Sequence, residues 1–127
     1  MTRFKIASTF ALAMLLGTAC GGGTPEAAPP APEALAKADQ IFAQRCTPCH
    51  GAEGRGDGSA SASLKPKPRN LHDADWQKSV TDEHIEKIIK LGGSAVGKSA
   101  AMPANPDLND KGVVAALRYK VRSFSGK

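Results

Sequence analysis

The run Cys46-Thr47-Pro48-Cys49-His50 limits the possible folds of this 127-residue chain more than any other feature. Two thiols separated by two residues lie about one helical turn apart, and an imidazole follows at once. This pattern is typical of c-type haem attachment, in which the thiols form thioethers to two vinyl groups of one haem and the histidine binds the iron. The sequence therefore predicts one covalent haem c.

Two other uses of paired cysteines fit this sequence less well. A thioredoxin-like thiol pair also has two spacers, but it is expected among alternating strands and helices, and no run of β-branched residues surrounds the motif. A structural zinc site needs four Cys or His ligands, commonly from two pairs, and the sequence has no second pair. Haem attachment is therefore the preferred interpretation.

The composition suits one small domain built around a cofactor. Aromatic residues make up only 5% of the chain, while 13 Gly and 9 Pro favour long loops between short helices. A domain of this size has a thin protein core, and a covalent haem would supply the missing apolar centre.

The net charge of +5 does not indicate a nucleic-acid partner. The Lys and Arg side chains are scattered along the chain and are not interleaved with aromatic residues. A solvated basic surface that docks acidic redox proteins is the better interpretation. We expect redox proteins or respiratory complexes as partners, and a monomer.

The amino terminus has the layout of a secretory signal peptide. Arg3 and Lys5 precede an apolar run over residues 6–16, followed by small residues. The apolar run is too short to span a bilayer. Residues 1–19 are therefore predicted to be a removable leader.

Cys20 stands where bacterial lipoprotein signals, which this leader resembles, place the cysteine that receives a lipid. Gly17 occupies the position of their usual leucine. The resemblance implies a lipid anchor on Cys20 at the periplasmic side of a bacterial membrane. Gly21 is not the aspartate associated with inner-membrane retention, which favours the outer membrane. The alternative is cleavage after Ala19 and a soluble periplasmic protein.

Residues 20–33 are predicted to be the lipidated cysteine and a linker. After Cys20, Gly, Pro and Ala dominate without hydrophobic periodicity, so this segment has no face to bury. Such a tether lets an anchored domain meet partners away from the membrane. The folded domain is expected over residues 34–127.

Hydrophobic periodicity predicts helices on both sides of the motif. One helix leads directly into Cys46, and another starts after Thr81 and stops at Gly92. Asn109 is the predicted N-cap of the last helix. The expected buried positions are, in chain order, Leu35, Ala38, Ile41, Phe42, Ile85, Ile88, Ile89, Val113, Val114, Leu117, Val121 and Phe124.

The order of these features resembles that of class I monohaem cytochromes c. Phe42 precedes the motif by four residues, Pro-Arg-Asn-Leu occupies residues 68–71, and Met102-Pro103 precedes the closing helix. The resemblance covers residues 34–127. It implies an all-α fold of short helices and long loops around one covalent haem, with crossed N- and C-terminal helices.

The resemblance also implies roles for individual residues. Cys46 and Cys49 would be the thioether anchors, and His50 the proximal axial ligand of the iron. Met102, the only methionine outside the leader, would be the distal ligand through its sulfur. A proline carbonyl, from Pro68 or Pro66, would accept a hydrogen bond from the proximal imidazole.

Three further residues have less specific expectations. His72 lies in a loop among charged residues and His84 lies in a first helical turn, so both are expected at the surface. Trp76 is either a core residue or, by resemblance, a donor to a haem propionate. Lys120 stands where the family usually has an aromatic residue, and Tyr119 comes one place earlier, so packing there is expected to differ.

These features predict a one-electron carrier rather than an enzyme. His50 and Met102 together would leave no open position on the iron, and His/Met ligation raises the reduction potential. No pair of carboxylates or Ser-His-Asp set suggests acid-base or nucleophilic catalysis. Two alternatives stay open: a haem enzyme or a gas or peroxide sensor with a labile sixth ligand, and a docking haem subunit of a larger oxidoreductase.

Overall fold

Helices form the regular structure of the chain in the computed structural model, which describes residues 28–126 and has no strand in that range. Single turns of other helix types occur at Phe42–Cys46, Ser61–Ser63 and Gly93–Val96. The α-helices of this range are α1 (Pro32–Ile41), α2 (Thr47–His50), α3 (Ala74–Ser79), α4 (Asp82–Leu91) and α5 (Lys111–Arg122). The predicted all-α fold with short helices is confirmed.

Helix α1 runs into the cysteine motif through a π-helical turn. Pro32 begins α1, where its fixed φ angle suits the first turn. Pro48 has no N–H to donate, so the regular ladder of hydrogen bonds cannot continue through the motif. In the π-turn, the N–H of Thr47 instead donates to the carbonyl of Phe42. The π-turn thus joins α1 to α2 without a break in the helical path.

Helix α4 begins and ends where the sequence predicted. The Thr81 hydroxyl accepts a hydrogen bond from the backbone N–H of His84 at 3.2 Å and so caps the first turn. Gly92, with φ of 77°, ends the helix in a conformation that favours glycine. Ile85 and Ile89 are buried, as expected from their spacing.

Helix α5 is capped one residue later than predicted. The carboxylate of Asp110, not the side chain of Asn109, accepts from the backbone N–H groups of Gly112 at 2.8 Å and Val113 at 3.3 Å. The apolar side of the helix is buried as expected, from Val114 onward. The error concerns which of two adjacent capping residues faces the first turn.

The first and last helices pack against each other. Ala38 and Phe42 belong to the same buried cluster as Leu117 and Phe124. The rings of Phe42 and Phe124 have centroids 5.5 Å apart. Contact between α1 and α5 is the most extensive between any two elements of residues 28–126, which fits the predicted pairing of the terminal helices.

Lys120 fills the place of the aromatic residue that the resemblance led us to expect. Its Nζ lies 5.7 Å from the ring centroid of Phe42 and 5.9 Å from that of Phe124. The same atom lies 2.9 Å from a carboxylate oxygen of Asp39 on α1. A cation over two rings and an ion pair therefore join α1 and α5 here, while Tyr119 is exposed.

Gln77 connects α3 to the elements around it. Its side chain is buried, and the amide donates to the carbonyls of Leu71 at 2.7 Å and Val121 at 3.0 Å. Arg122 donates to the amide oxygen of Gln77 at 2.9 Å and to the Asp82 carboxylate at 2.8 Å. The segment that contains Leu71 is thereby held against α5.

The leader and the start of the predicted linker lie outside the described residues. The predictions for residues 1–19 as a signal peptide and for Cys20 as a lipid anchor therefore stay predictions. Between residues 28 and 126, no helix has both the length and the apolar character needed to cross a membrane.

Candidate haem site

The cysteine motif is held by the loop that follows it. Three backbone carbonyls at the end of α2 accept hydrogen bonds from this loop: Pro48 from Ala60 at 2.9 Å, Cys49 from Gly58 at 3.1 Å, and His50 from Gly56 at 2.8 Å. The carbonyls at a helix end lack partners within the helix. The loop satisfies them and so fixes the helical turn that carries Cys49 and His50.

Two glycines allow the loop to come this close. A Cβ atom on Gly58 would lie 2.3 Å from the carbonyl oxygen of Pro48 and 2.4 Å from that of Thr47. A Cβ atom on Gly56 would lie 2.5 Å from the carbonyl oxygen of Pro68, and Gly56 has a φ of +78°. The sequence predicted a loop here from its glycine content. The structure shows that the glycines bring the motif, the loop and the segment around Pro68 together.

The ring of His50 has a defined tautomer. Its Nδ1 lies 3.1 Å from the carbonyl oxygen of Arg69. A carbonyl oxygen can only accept, so Nδ1 carries the proton and donates it. Burial lowers the pKa of His50, which favours the neutral ring. Nε2 is then left with the lone pair that a metal ligand needs.

The acceptor of the His50 hydrogen bond corrects a prediction. We expected the carbonyl of Pro68 or Pro66, but the bond goes to Arg69, the residue after Pro68. Arg69 belongs to the same proline-rich segment as Pro66 and Pro68. Which of its carbonyls points at Nδ1 depends on how the segment lies against the loop at Gly56, where Pro68 is in close approach.

One cavity brings the motif and the predicted distal ligand together. Cys46, His50 and Met102 all line it. Cys49 is half-buried on the same helical turn as His50. The apolar part of the wall is made by Phe42, Leu71, Ile85, Ile88, Ile89, Leu117 and Val121. Met102 is more than fifty residues from the motif, and the fold places both at the same cavity.

The groups at this cavity fit a covalently bound c-type haem. The two thiols of Cys46 and Cys49 suit thioether formation, and the apolar wall suits a porphyrin face. A neutral imidazole and a thioether sulfur are the ligand pair of cytochrome c iron. Among residues 28–126, no group of three or more His, Cys, Asp or Glu side chains could hold a metal ion directly.

The Cys46 thiol does not have the properties of a redox-active cysteine. Burial raises its pKa to about 11, so the thiol is protonated near neutral pH. Redox-active cysteines instead have a lowered pKa, because the thiolate is the nucleophile. A raised pKa does not favour the thioredoxin-like interpretation.

Trp76 and Arg69 lie side by side at the cavity wall. Trp76 is half-buried and packs on the hydrophobic cluster, and the guanidinium carbon of Arg69 lies 5.9 Å from its ring centroid. The guanidinium also pairs with Asp73 at 3.2 Å. Arg69 was not among the predicted site residues. Its position directly after Pro68, in the segment expected to face His50, was the available signal.

His72 and His84 do not line this cavity. His72 is half-buried rather than at the surface, and its Nε2 lies 2.5 Å from the carbonyl oxygen of Glu53. Its ring packs at 5.5 Å from the ring of Phe124. His84 is half-buried on α4. Neither histidine shares the cavity wall with His50 and Met102.

Comparisons with known proteins agree with the fold. The solved c-type cytochrome KustC0563 is similar to this chain, with 26% identity, a TM-score of 0.50, and coverage of 69% of this chain and 96% of that one. The solved Kuenenia stuttgartiensis reducing HAO-like protein complex Kustc0457/Kustc0458 is also similar, with 29% identity and a TM-score of 0.56. The similarity covers 70% of this chain and 41% of that one.

A curated protein and a family model are similar in sequence. The cbb3-type cytochrome c oxidase subunit CcoP of Rubrivivax gelatinosus is 37% identical over 73 residues, which are 58% of this chain and 21% of that subunit. This chain thus spans about a fifth of the length of that relative. The family model described as cytochrome c matches residues 35–119. With its helical fold, its attachment motif and this match over about two thirds of its length, the chain belongs to the cytochrome c family.

Proposed function

We propose that this chain is a one-electron carrier of a periplasmic respiratory chain, with His50 and Met102 as the two axial ligands of its c-type haem. When bound, the haem supplies an iron that gains and loses a single electron. The observation that carries the proposal is the placement of both side chains at one apolar cavity, beside the attachment motif.

The residues around the cavity have separate tasks. Cys46 and Cys49 anchor the cofactor through thioether bonds. The carbonyl of Arg69 holds the His50 ring in one orientation and keeps the proton on Nδ1. The apolar wall keeps water from the cofactor, which favours its less charged, reduced form.

Met102 supports a carrier rather than an enzyme. Its thioether would fill the second axial position, so no place is left at the iron for a substrate. A chain in which both positions come from the protein needs no acid, base or nucleophile at the cavity.

Absorption spectra and potentiometry of the matured protein test the proposal. We expect a six-coordinate, low-spin haem in both redox states for the natural sequence. In Met102→Ala, part or all of the haem iron should change from low spin to high spin, and the reduction potential should fall by a large amount. Leu91→Ala, which removes an exposed side chain near the same loop, is the control and should leave both unchanged. An unchanged spectrum and potential in Met102→Ala would refute the distal assignment.

A second candidate is a haem subunit docked to a larger oxidoreductase. The similarity to an oxidase subunit and to a reducing HAO-like complex favours it. In that case the haem iron, held by the same two ligands, passes the electron, and the partner performs the chemistry. Purification from the native membrane separates the two: a docked subunit co-purifies in fixed stoichiometry, and an independent carrier elutes as a monomer.

We also propose that the domain is tethered at the outer membrane by a lipid on Cys20. The support is the leader layout, the position of Cys20 after it, and the Gly, Pro and Ala composition of residues 21–33. Stable anchoring needs more than one acyl chain, which lipoprotein modification provides. Mass spectrometry of the mature amino terminus tests this, and a Cys20 without lipid would refute it.

A further inference from the structure

Arg45 joins two distant parts of the site. It lies in the π-turn directly before Cys46. Its guanidinium forms two parallel bonds with Asp107, Nη1 to Oδ1 at 2.9 Å and Nη2 to Oδ2 at 2.8 Å. Nη1 also donates to the amide oxygen of Asn105 at 3.2 Å. These partners follow Met102 by three and five residues, so the contact connects the attachment segment with the loop that carries the predicted distal ligand.

Asn105 extends this contact to α4. Its side-chain amide donates to the carbonyl of Ile89 at 2.8 Å, and its backbone N–H donates to the carbonyl of Lys90 at 2.9 Å. The carbonyl of Met102 accepts from Gly93 at 3.0 Å. The loop is therefore bound to the end of α4 on one side and to Arg45 on the other.

Within residues 28–126, the hydrogen bonds that join the segment Phe42–His50 to residues 102–109 all come from Arg45. The hydrogen bonds to the end of α4 fix one edge of the loop that carries Met102. The planar fork of Arg45 fixes the other, because two parallel bonds to a carboxylate restrict both distance and angle. Loss of the fork removes the hydrogen bonds on that side of the loop, where the buried side chain of Leu108 is then the remaining anchor.

We propose that Arg45 is a positioning residue that keeps the Met102 sulfur against the iron and the sixth position closed to outside ligands. This inference rests on the proposed His50/Met102 ligation. The fork is solvent-exposed, with 41% of the Arg45 side chain and 57% of the Asp107 side chain accessible. Exposed pairs contribute modestly, so the effect on loop opening is a several-fold change rather than a complete loss.

Imidazole binding to the ferric holoprotein at about pH 8, where imidazole is mostly neutral, measures how often the sixth position opens. We expect Arg45→Gln and Asp107→Asn each to raise the apparent imidazole affinity about 3- to 10-fold. The double variant should match Arg45→Gln, because that substitution alone removes the bonds to both Asp107 and Asn105. Arg45→Lys keeps the positive charge but not the planar fork. Its imidazole affinity should lie between that of the natural protein and that of Arg45→Gln. Hydrogen exchange of the loop amides at residues 98–109 should quicken in the same variants.

Two controls separate positioning from general effects. Arg55→Gln removes an exposed arginine charge from the loop after the motif and should bind imidazole like the natural protein. Asp82→Asn breaks the ion pairs of Asp82 with Arg118 and Arg122 at the far end of α4. It should lower thermal stability without raising imidazole affinity. Equal affinity gains in Asp82→Asn and Arg45→Gln would overturn the proposal, because the effect would then be general destabilisation.

Met102→Ala separates a failure of the proposed His50/Met102 ligation from a failure of the proposed role of Arg45. If this variant binds imidazole far more tightly while Arg45→Gln and Asp107→Asn behave like the natural protein, the ligation stands and the role of Arg45 is refuted. If Met102→Ala leaves imidazole affinity unchanged, the proposed ligation fails, and the role of Arg45 fails with it. Should Arg45→Gln not mature, Asp107→Asn and Arg45→Lys carry the same comparison.

Discussion

The imidazole of His50 donates from Nδ1 to the carbonyl oxygen of Arg69 at 3.1 Å, across 19 residues of sequence. This bond depends on three segments: the helical turn of the motif, the glycine loop behind it, and the extended segment that contains Pro68. Gly56 lies where the loop and that segment meet, because its backbone donates to the carbonyl of His50 and its Cα faces the carbonyl of Pro68.

Gly56→Ala should therefore destabilise the protein more than a substitution at a glycine that faces open space. The new Cβ would lie 2.5 Å from the Pro68 carbonyl oxygen, at a φ of +78°. We expect a loss of about 3 kcal/mol in the free energy of unfolding, from overpacking and the left-handed conformation together. Gly97→Ala is the control, since it has a φ of +68° but nothing within 4 Å, and should cost about 1 kcal/mol. Equal losses in guanidinium denaturation would contradict the close-approach argument.

Gln77→Leu should destabilise the holoprotein by about 2–3 kcal/mol. The substitution keeps the side-chain volume but leaves the carbonyls of Leu71 and Val121 without the amide that now donates to them. Chemical denaturation measures the change. Gln40→Leu alters an exposed position on α1 in the same way and should stay within about 0.5 kcal/mol. If Gln77→Leu left the free energy of unfolding unchanged, water would be replacing the buried amide without cost.

Asp110→Ala tests the corrected cap of α5. Loss of the carboxylate that accepts from Gly112 and Val113 should cost about 1 kcal/mol. Asn109→Ala, one residue earlier, removes an exposed side chain outside the cap and should cost less than about 0.5 kcal/mol. Thermal unfolding of the two variants side by side decides the assignment. The reverse order of losses would restore Asn109 as the cap.

The contact between Arg45 and Asp107 should weaken in acid. The hydrogen bonds from Arg45 lower the pKa of Asp107 below its ordinary value. A carboxyl group whose pKa is lower in the folded state stabilises the fold above its unfolded pKa of about 4, and this contribution disappears as pH falls through the lowered pKa. The stability difference between the natural protein and Asp107→Asn should therefore be constant near neutral pH and shrink below about pH 4.

Urea denaturation at a series of pH values measures that difference. Asp57→Asn is the matched control, because it removes an exposed carboxylate that has no ion pair among the described residues. A stability difference for Asp107→Asn that stays constant into acid would mean that the carboxylate and guanidinium do not interact in solution.

Local sequence patterns predicted the parts of this protein that depend on neighbouring residues. The spacing of the cysteines and histidine specifies haem attachment because the reacting groups lie within one helical turn. Thr81 and Gly92 mark the ends of α4 because a cap acts on residues two or three positions away. The apolar stripes of α1, α4 and α5 follow from helical periodicity, and most of their residues are buried as expected.

Contacts between distant segments were decided only by the tertiary structure. The sequence predicted that a proline carbonyl accepts a hydrogen bond from His50, but the carbonyl that accepts this bond belongs to Arg69. The sequence contained no sign that Arg45 meets Asp107, because 62 residues separate them and both are ordinary surface residues. The chemical groups of the site are thus a property of the sequence. Their partners depend on how loops without periodic patterns pack against the helices.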